Sequence, residues 1–371
     1  MRRALLPLIL LAATLIGVAP AGAKRVAPPG FIGISPQGKT TSADYELMHL
    51  AGIASVRVPM FWFEVEPQLG AANARHRNWS LFDAAVAEAA EHELMIFPFL
   101  CGTPAWVAPT TTAEPVASAR QRRAWTRFVA AAVRRYGPDG RFWEQHPELP
   151  ELPIRQWEIW NEENIVTFSH RPSPTRFARL IRITGRLIHR LDPESTVILG
   201  GLFGRPLQVP PNVRSGEFLA RVYREGDVTP YFDGVGLHPY VAQASAMRAQ
   251  ILNLRRVMGL YGDAATPLYV TELGWGSDGF ESRWERGWRG QARELNRAFS
   301  MLTVNRARWR IGGAWWFSWA DAFNACQFCD SAGLLTPERQ AKPAWYAFNA
   351  WTGGDAYTIP NALPPGLPAA P

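Results

Sequence analysis

Lysine is nearly missing from this chain: of 39 basic residues only Lys24, Lys39 and Lys342 are lysines. Cysteine and histidine are scarce too, at 3 and 7 in 371 residues. Three cysteines exclude a small disulfide-stapled scaffold and a four-cysteine zinc site. Cys326 and Cys329, three apart in a loop-like stretch, suit a local disulfide, which leaves Cys101 as an odd, small, apolar residue. The few histidines argue against metal-assisted hydrolysis, which needs more nitrogen and carboxylate ligands at one place. Basic runs are absent, because the arginines are scattered. That pattern reads as solvated helix faces and argues against a nucleic-acid partner. No internal repeat and no internal linker interrupts the chain. Past the N-terminal leader there is no apolar run long enough to cross a bilayer. With 47% hydrophobic and 19% charged residues, a disordered or fibrous chain is excluded as well.

Tryptophan, by contrast, is plentiful: 16 against 9 tyrosines. So many indoles exceed the needs of a core, and some are expected to line a cleft for sugars, bases or cations. The N-terminus carries Arg2 and Arg3, an apolar stretch from Ala4 to Val18, and small residues Ala21-Gly22-Ala23 before Lys24. This reads as a secretory signal over 1–23, with an uncleaved anchor as the competing reading. The expected mature protein is exported and has no stable membrane insertion after cleavage. Residues 353–371, rich in proline and alanine, read as a tail.

Between them, short apolar runs alternate with longer amphipathic stretches. Strands are expected at 31–35, 55–60, 94–100, 154–160, 196–200, 234–237, 267–271 and 311–317. Helices are expected near 43–51, 80–93, 118–136, 174–191, 216–224, 244–261, 288–306 and 342–351. Eight strand–helix units imply a parallel sheet with right-handed crossovers, and eight is the number that closes a ring. The expected fold is therefore α/β, a single (β/α)8 TIM barrel over 24–352. The length, which suggests two domains if read mechanically, suits one barrel.

In such barrels chemistry sits at the C-terminal ends of the strands. The fourth strand runs out in Glu158-Ile159-Trp160-Asn161-Glu162-Glu163-Asn164, and the seventh in Thr271-Glu272-Leu273-Gly274-Trp275. Each places a carboxylate at one mouth of the ring, from different parts of it. Two carboxylates beside aromatics suit cleavage of a glycosidic bond, one as protonated acid and the other as charged nucleophile or base. Pairing of each glutamate with an arginine for stability is the competing reading. Glu158, four residues before Glu162, faces the same side one layer lower, whereas Glu163 faces away; both read as structural.

Trp160-Asn161-Glu162 and Thr271-Glu272-Leu273-Gly274-Trp275 resemble the motifs of the clan A glycoside hydrolases, and the resemblance covers nearly the whole mature chain. It implies Glu162 as the acid/base and Glu272 as the nucleophile of a configuration-retaining hydrolase with a carbohydrate substrate, without metal or organic cofactor. It also implies that Arg57 lies beside Glu272, that Asn161 bonds the sugar's 2-hydroxyl, and that His238 and Tyr240 orient the nucleophile. Trp319 would form the floor under the reacting sugar. His238, which precedes a proline, could equally be a hydrogen-bonded turn residue. Trp62, Glu64 and Glu66-Pro67 after the second strand, and Thr103-Pro104-Ala105-Trp106 after the third, resemble family 39, with its β-xylosidases and α-L-iduronidases. The cellulase-containing family 5 is the other near relative. The chain departs from family 5 where Gly102 and Thr103 replace a histidine, and from many family 39 enzymes in lacking an accessory β-sandwich. Trp62 and Trp106 read either as subsite walls or as loop packing. A non-catalytic polysaccharide-binding barrel, and a transglycosylase using the same site, are the alternatives. Sugar and linkage depend on the loops after strands two, three and eight, including Asp321, Asn324 and the Cys326–Cys329 segment.

Overall fold

A computed structural model describes residues 27–69, 77–279, 282–323, 326 and 328–355. The leader at 1–23, Asn324 and the tail beyond residue 355 lie outside the described residues. The strands are β1 (Ile32–Ile34), β2 (Ser55–Phe61), β3 (Met95–Cys101), β4 (Gln156–Ile159), β5 (Thr196–Phe203), β6 (Gly234–His238), β7 (Leu268–Leu273) and β8 (Ile311–Trp316). They pair in parallel in chain order and close, with Ile32 of β1 opposite Ala314 of β8. The fold is a single (β/α)8 TIM barrel. Near-continuous apolar runs make these strands because one face meets the barrel interior and the other meets the helices.

The outer ring contains α1 (Ser42–Leu50), α3 (Ser80–Glu91), α4 (Ala119–Tyr136), α6 (Pro174–Leu191), α7 (Ser215–Arg224), α8 (Met247–Leu260), α9 (Gly287–Trp309) and α10 (Pro343–Thr352). Local chemistry explains their starts. Ser118 and Gln121 form a reciprocal capping box at α4, and Ser173 caps α6 with Pro174 in its first turn. In α4, Ala124, Trp125, Phe128, Val129, Ala132, Val133 and Tyr136 make the buried stripe, and the arginines take the other side. Two short helices, α2 (Trp62–Val65) and α5 (Arg141–Gln145), were not expected. Four or five residues are too few to show a helical period.

Phe97 of β3, Ile198 of β5, Tyr269 of β7 and Trp315 of β8 form an apolar plug. On β1, Gly33 admits the Trp315 indole: a Cβ there would lie 2.2 Å from its Nε1. Alternate residues of a strand point inward, so two positions after Phe97, Tyr269 and Trp315 the barrel turns from packing to chemistry. Cys326 and Cys329 form a disulfide, and Cys101 is a buried free thiol whose pKa is pushed up by burial. Asp321, expected among the specificity loops, instead binds Lys342 Nζ through both oxygens, at 2.7 and 2.9 Å. That contact braces the β8–α10 loop. No helix among the described residues is long and apolar enough to cross a membrane.

Candidate active site

Glu162 is presented by a kink just past β4. Trp160 and Glu162 both have left-handed backbones, at φ 71° and 46°, which non-glycine residues seldom adopt. The kink is held by Trp160, whose backbone N–H donates to Leu100 O and whose Nε1 donates to Phe168 O at 2.7 Å. Glu272 comes from β7, where the pairing with β8 shifts register between Val270 and Leu273. That irregularity breaks the strict alternation of a strand, so neighbouring Thr271 and Glu272 both reach the interior network.

Arg57 of β2 organises the site from below. It is fully buried, and its Nε donates to Glu158 Oε2 at 2.5 Å, Nη1 to Glu272 Oε1 at 2.7 Å and Nη2 to Asn161 Oδ1 at 2.7 Å. The guanidinium also lies 4.2 Å from the centre of the Phe99 ring. The Tyr240 hydroxyl donates to the other oxygen of Glu272 at 2.7 Å. Glu272 therefore accepts from a cation on one oxygen and from a phenol on the other.

Glu162 is in the opposite situation. Burial raises its carboxyl well above the usual range, and the nearby Glu272 charge adds to the effect. Its Oε1 lies 2.6 Å from His238 Nδ1, with Glu272 Oε2 farther from the same nitrogen at 3.5 Å. Burial and the Arg57 charge depress the His238 pKa, so this ring is neutral and carries one proton. Hydrogen-bond direction assigns that proton. Thr271 Oγ1 donates to Glu158 Oε1 at 3.1 Å and lies 3.0 Å from His238 Nε2. Burial raises the Glu158 carboxyl against an opposing but smaller pull from Arg57; the 2.5 Å contact from a group that can only donate nonetheless suits the anion. With its own proton on Glu158, Thr271 accepts from His238 Nε2–H. Nδ1 is then bare, and the 2.6 Å contact requires the proton to sit on Glu162. The site thus holds one neutral and one charged carboxyl group with ligating oxygens within 4.8 Å of each other.

Glu162, His238 and Glu272 are also spaced to hold a cation. Arg57 already places a positive charge on Glu272, which opposes a second one there. A second such group, Glu88, Glu91 and His92, lies on the outer face around the end of α3.

The structure brings together Glu162, Glu272, Arg57, Asn161, His238 and Tyr240. The aromatic expectations fare differently. Trp62 is 0% exposed, donates through Nε1 to Glu66 Oε2, and lies against Trp125 and Phe128, so it belongs to the core and is no subsite wall. Trp319 is 1% exposed, with its Nε1 on Asp44 Oδ1 at 2.8 Å and its ring against Trp345. A ring so covered presents no face on which a sugar could stack, and the floor expected of Trp319 is not at that residue. Trp106 is half-buried, its Nε1 bonded to Glu66 O at 2.8 Å. His238, expected to orient the nucleophile, has its shortest contact with Glu162 instead.

Sequence reasoning missed Thr271 and Phe317. Phe317 is half-buried, stands just past β8 at a cis peptide bond to Ser318, and lies 6.4 Å from Tyr240. Unlike Trp319, it keeps part of its surface open, and it lies next to the tyrosine whose hydroxyl holds Glu272. Nothing in the local pattern marks it, since Trp315-Trp316-Phe317-Ser318-Trp319 offers four aromatic candidates. Thr271 had a visible signal: a hydroxyl next to Glu272, two positions after the inward-facing Tyr269.

No protein-family model and no curated protein matches this chain. Solved structures share its fold. A family 39 glycoside hydrolase from Bacteroides cellulosilyticus WH2 superposes with a TM-score of 0.61 at 18% identity, covering 87% of this chain and 64% of that one. A monomeric beta-xylosidase from Caulobacter crescentus CB15 gives 0.60 at 18% identity, covering 88% and 69%. Xylanase 10B from Thermotoga maritima gives 0.59 at 14%, covering 87% and 95%. This chain therefore spans just under two thirds of the first of these relatives and nearly all of the last, and it shares with them the (β/α)8 barrel of glycoside hydrolases.

Proposed function

We propose that this protein is a retaining glycoside hydrolase acting on a poly- or oligosaccharide. The carrying observation is the pair of close carboxyl groups with opposite surroundings, Glu162 held neutral and Glu272 held charged. An acid and a nucleophile about 5–5.5 Å apart are what double displacement requires; an inverting pair needs a wider gap for water.

In the first step Glu272 attacks the anomeric carbon while Glu162 gives its proton to the departing glycosidic oxygen. A covalent glycosyl–enzyme forms and the leaving sugar departs as an alcohol. In the second step Glu162, now ionised, takes a proton from water, the water oxygen attacks the same carbon, and the bond to Glu272 breaks. Arg57 and Tyr240 hold Glu272 in place and accept it back as a leaving carboxylate. Asn161, with its Oδ1 taken by Arg57, directs its amide N–H groups to the sugar's 2-hydroxyl. The chemistry calls for no cofactor. Export is part of the same proposal, resting on the charged, apolar and small-residue succession in 1–23.

The β-xylosidase and xylanase among the structural neighbours direct the first screen to aryl β-xylosides and xylans, followed by other aryl glycosides and polysaccharides. Release of phenol or reducing ends by the wild type, absent in Glu162→Gln and Glu272→Gln, supports the reading. Binding of polysaccharide without any release identifies a non-catalytic barrel.

A further inference from the structure

Tyr240 has two surroundings. Its hydroxyl holds Glu272, and its ring also lines a cleft of about 680 Å³ beside the carboxylates, between the loops that follow β5 and β6. Three arginines stand around this cleft: Arg205, Arg214 and Arg283. Among the described residues none of them has an acidic partner, and no acidic side chain lines the cleft. Arg283 is held over the Trp284 ring at 4.7 Å, and Arg214 is exposed at the N-cap of α7. Like charges gathered in one concavity repel one another unless an anion completes them.

One further observation points the same way. The N-terminal ends of α7 and α8 both meet the cleft through Ser215 and Ala246, and neither start carries a side-chain cap. Their partial positive charge lies on the side the arginines surround, although the Ser215 N–H is taken by Gly204 O and the Ala246 N–H by Gln243 O. Gln250 of α8 lines the same cleft; it is 4% exposed, and its Oε1 has no partner among the described residues. Glycine at 204 makes room for it, since a Cβ there would lie 1.5 Å from that oxygen. That oxygen is itself covered by Gly204, so it is the unpaired cations that call for a ligand, one that carries negative charge.

We propose that this cleft is a subsite for an anionic saccharide unit adjacent to the one being cleaved. The anion, a carboxylate or a sulfate ester, is gripped by Arg205, Arg214 and Arg283. The inference rests on the glycosidase reading for what happens next door, but binding at the cleft can be measured without turnover.

The test is native affinity electrophoresis of the Glu272→Ala protein in gels containing polygalacturonate or alginate as carboxylate polymers, carrageenan as a sulfated one, and dextran or arabinoxylan as neutral ones. At least one anionic polymer should retard it. Adding Arg205→Ala, Arg214→Ala and Arg283→Ala should weaken that retardation about tenfold or more. Removing three arginines of the outer groove between α4 and α6, Arg127, Arg134 and Arg190, makes the same change in net charge and should leave most of it intact. The carboxylate and sulfate arms identify which anion is bound. The proposal is overturned if no anionic polymer retards the protein, if both triple variants lose retardation equally, or if the cleft variant loses neutral polymers to the same extent. Should the triple variant fail to fold, the single Arg214→Ala variant carries the same comparison against Arg134→Ala. Anion retardation in a protein whose wild type cleaves no glycoside would fail the functional reading alone.

Discussion

Arg57 shows how much one side chain arranges. A single buried guanidinium meets Glu158, Glu272 and Asn161, so one cation serves two carboxylates and a third carboxyl, Glu162, is left to remain neutral. Thr271 sets the direction of the adjoining chain. In Thr271→Val the acceptor for His238 Nε2–H is lost, so the ring favours the tautomer with its proton on Nδ1, which stabilises ionised Glu162. The alkaline limb of the pH–rate profile, where a raised acid loses its proton, should then move to lower pH. One hydrogen bond of about 1 kcal/mol corresponds to roughly 0.7 of a pH unit. An unmoved limb would detach Thr271 from the acid. Glu163 offers a stability test. Both its oxygens are buried without partners among the described residues, and burial raises its carboxyl well above the usual range. An acid that is raised in the folded state binds its proton more tightly there, so stability falls as pH rises above the ordinary carboxyl range, by up to about 1.4 kcal/mol per unit. Glu163→Gln should gain melting temperature over the wild type progressively from pH 5 to pH 8. A difference that does not vary with pH would contradict this.

At the scale of elements, placing the chemistry depended on strand ends. The apolar runs located all eight strands, and with them the mouths where Glu162 and Glu272 stand. What the runs could not show is where strands depart from regularity. The shift in β7 that turns both Thr271 and Glu272 inward leaves no pattern in Leu-Tyr-Val-Thr-Glu-Leu, and the left-handed turn at Trp160 and Glu162 has no glycine to announce it. A second irregularity lies in β5, between Leu199 and Leu202. Gly201 there leaves space for the His238 ring: a Cβ would fall 1.8 Å from Nε2. Gly201→Ala should therefore push His238 off Thr271 and Glu162, at a cost of about 1–3 kcal/mol in stability. Turnover should fall at least tenfold, as read by thermal melts and initial rates together. Full activity in that variant would show that His238 need not hold its present position.

Across the whole molecule, the abundance of tryptophan pointed to the right end of the barrel for the wrong reason. Trp62, Trp160, Trp275, Trp316 and Trp319 cluster near the chemical ends of strands, yet all are buried. Three of them, Trp160, Trp275 and Trp319, spend their Nε1 on loop carbonyls or on a carboxylate of α1. They support the site by fixing loops, and Trp106 alone of the expected walls keeps part of its surface open. Periodicity reports that a residue lies at a strand end; whether its ring faces solvent or a neighbouring helix depends on packing between distant segments, such as Trp319 against Trp345. Arg57, Glu158 and Thr271 come from three strands and meet only because the barrel closes, with the Phe97–Ile198–Tyr269–Trp315 plug as the base beneath them. The central claim is that Glu272 forms a covalent bond to the sugar. Its most direct test is the Glu272→Ala protein assayed on an aryl glycoside that the wild type hydrolyses, with and without sodium azide. Azide can enter the space of the missing carboxylate and attack the anomeric carbon as the phenol leaves. The account predicts that turnover falls by several orders of magnitude in a folded protein and is partly restored by azide, with a glycosyl azide of inverted configuration as product; near-normal hydrolysis by the variant would contradict it.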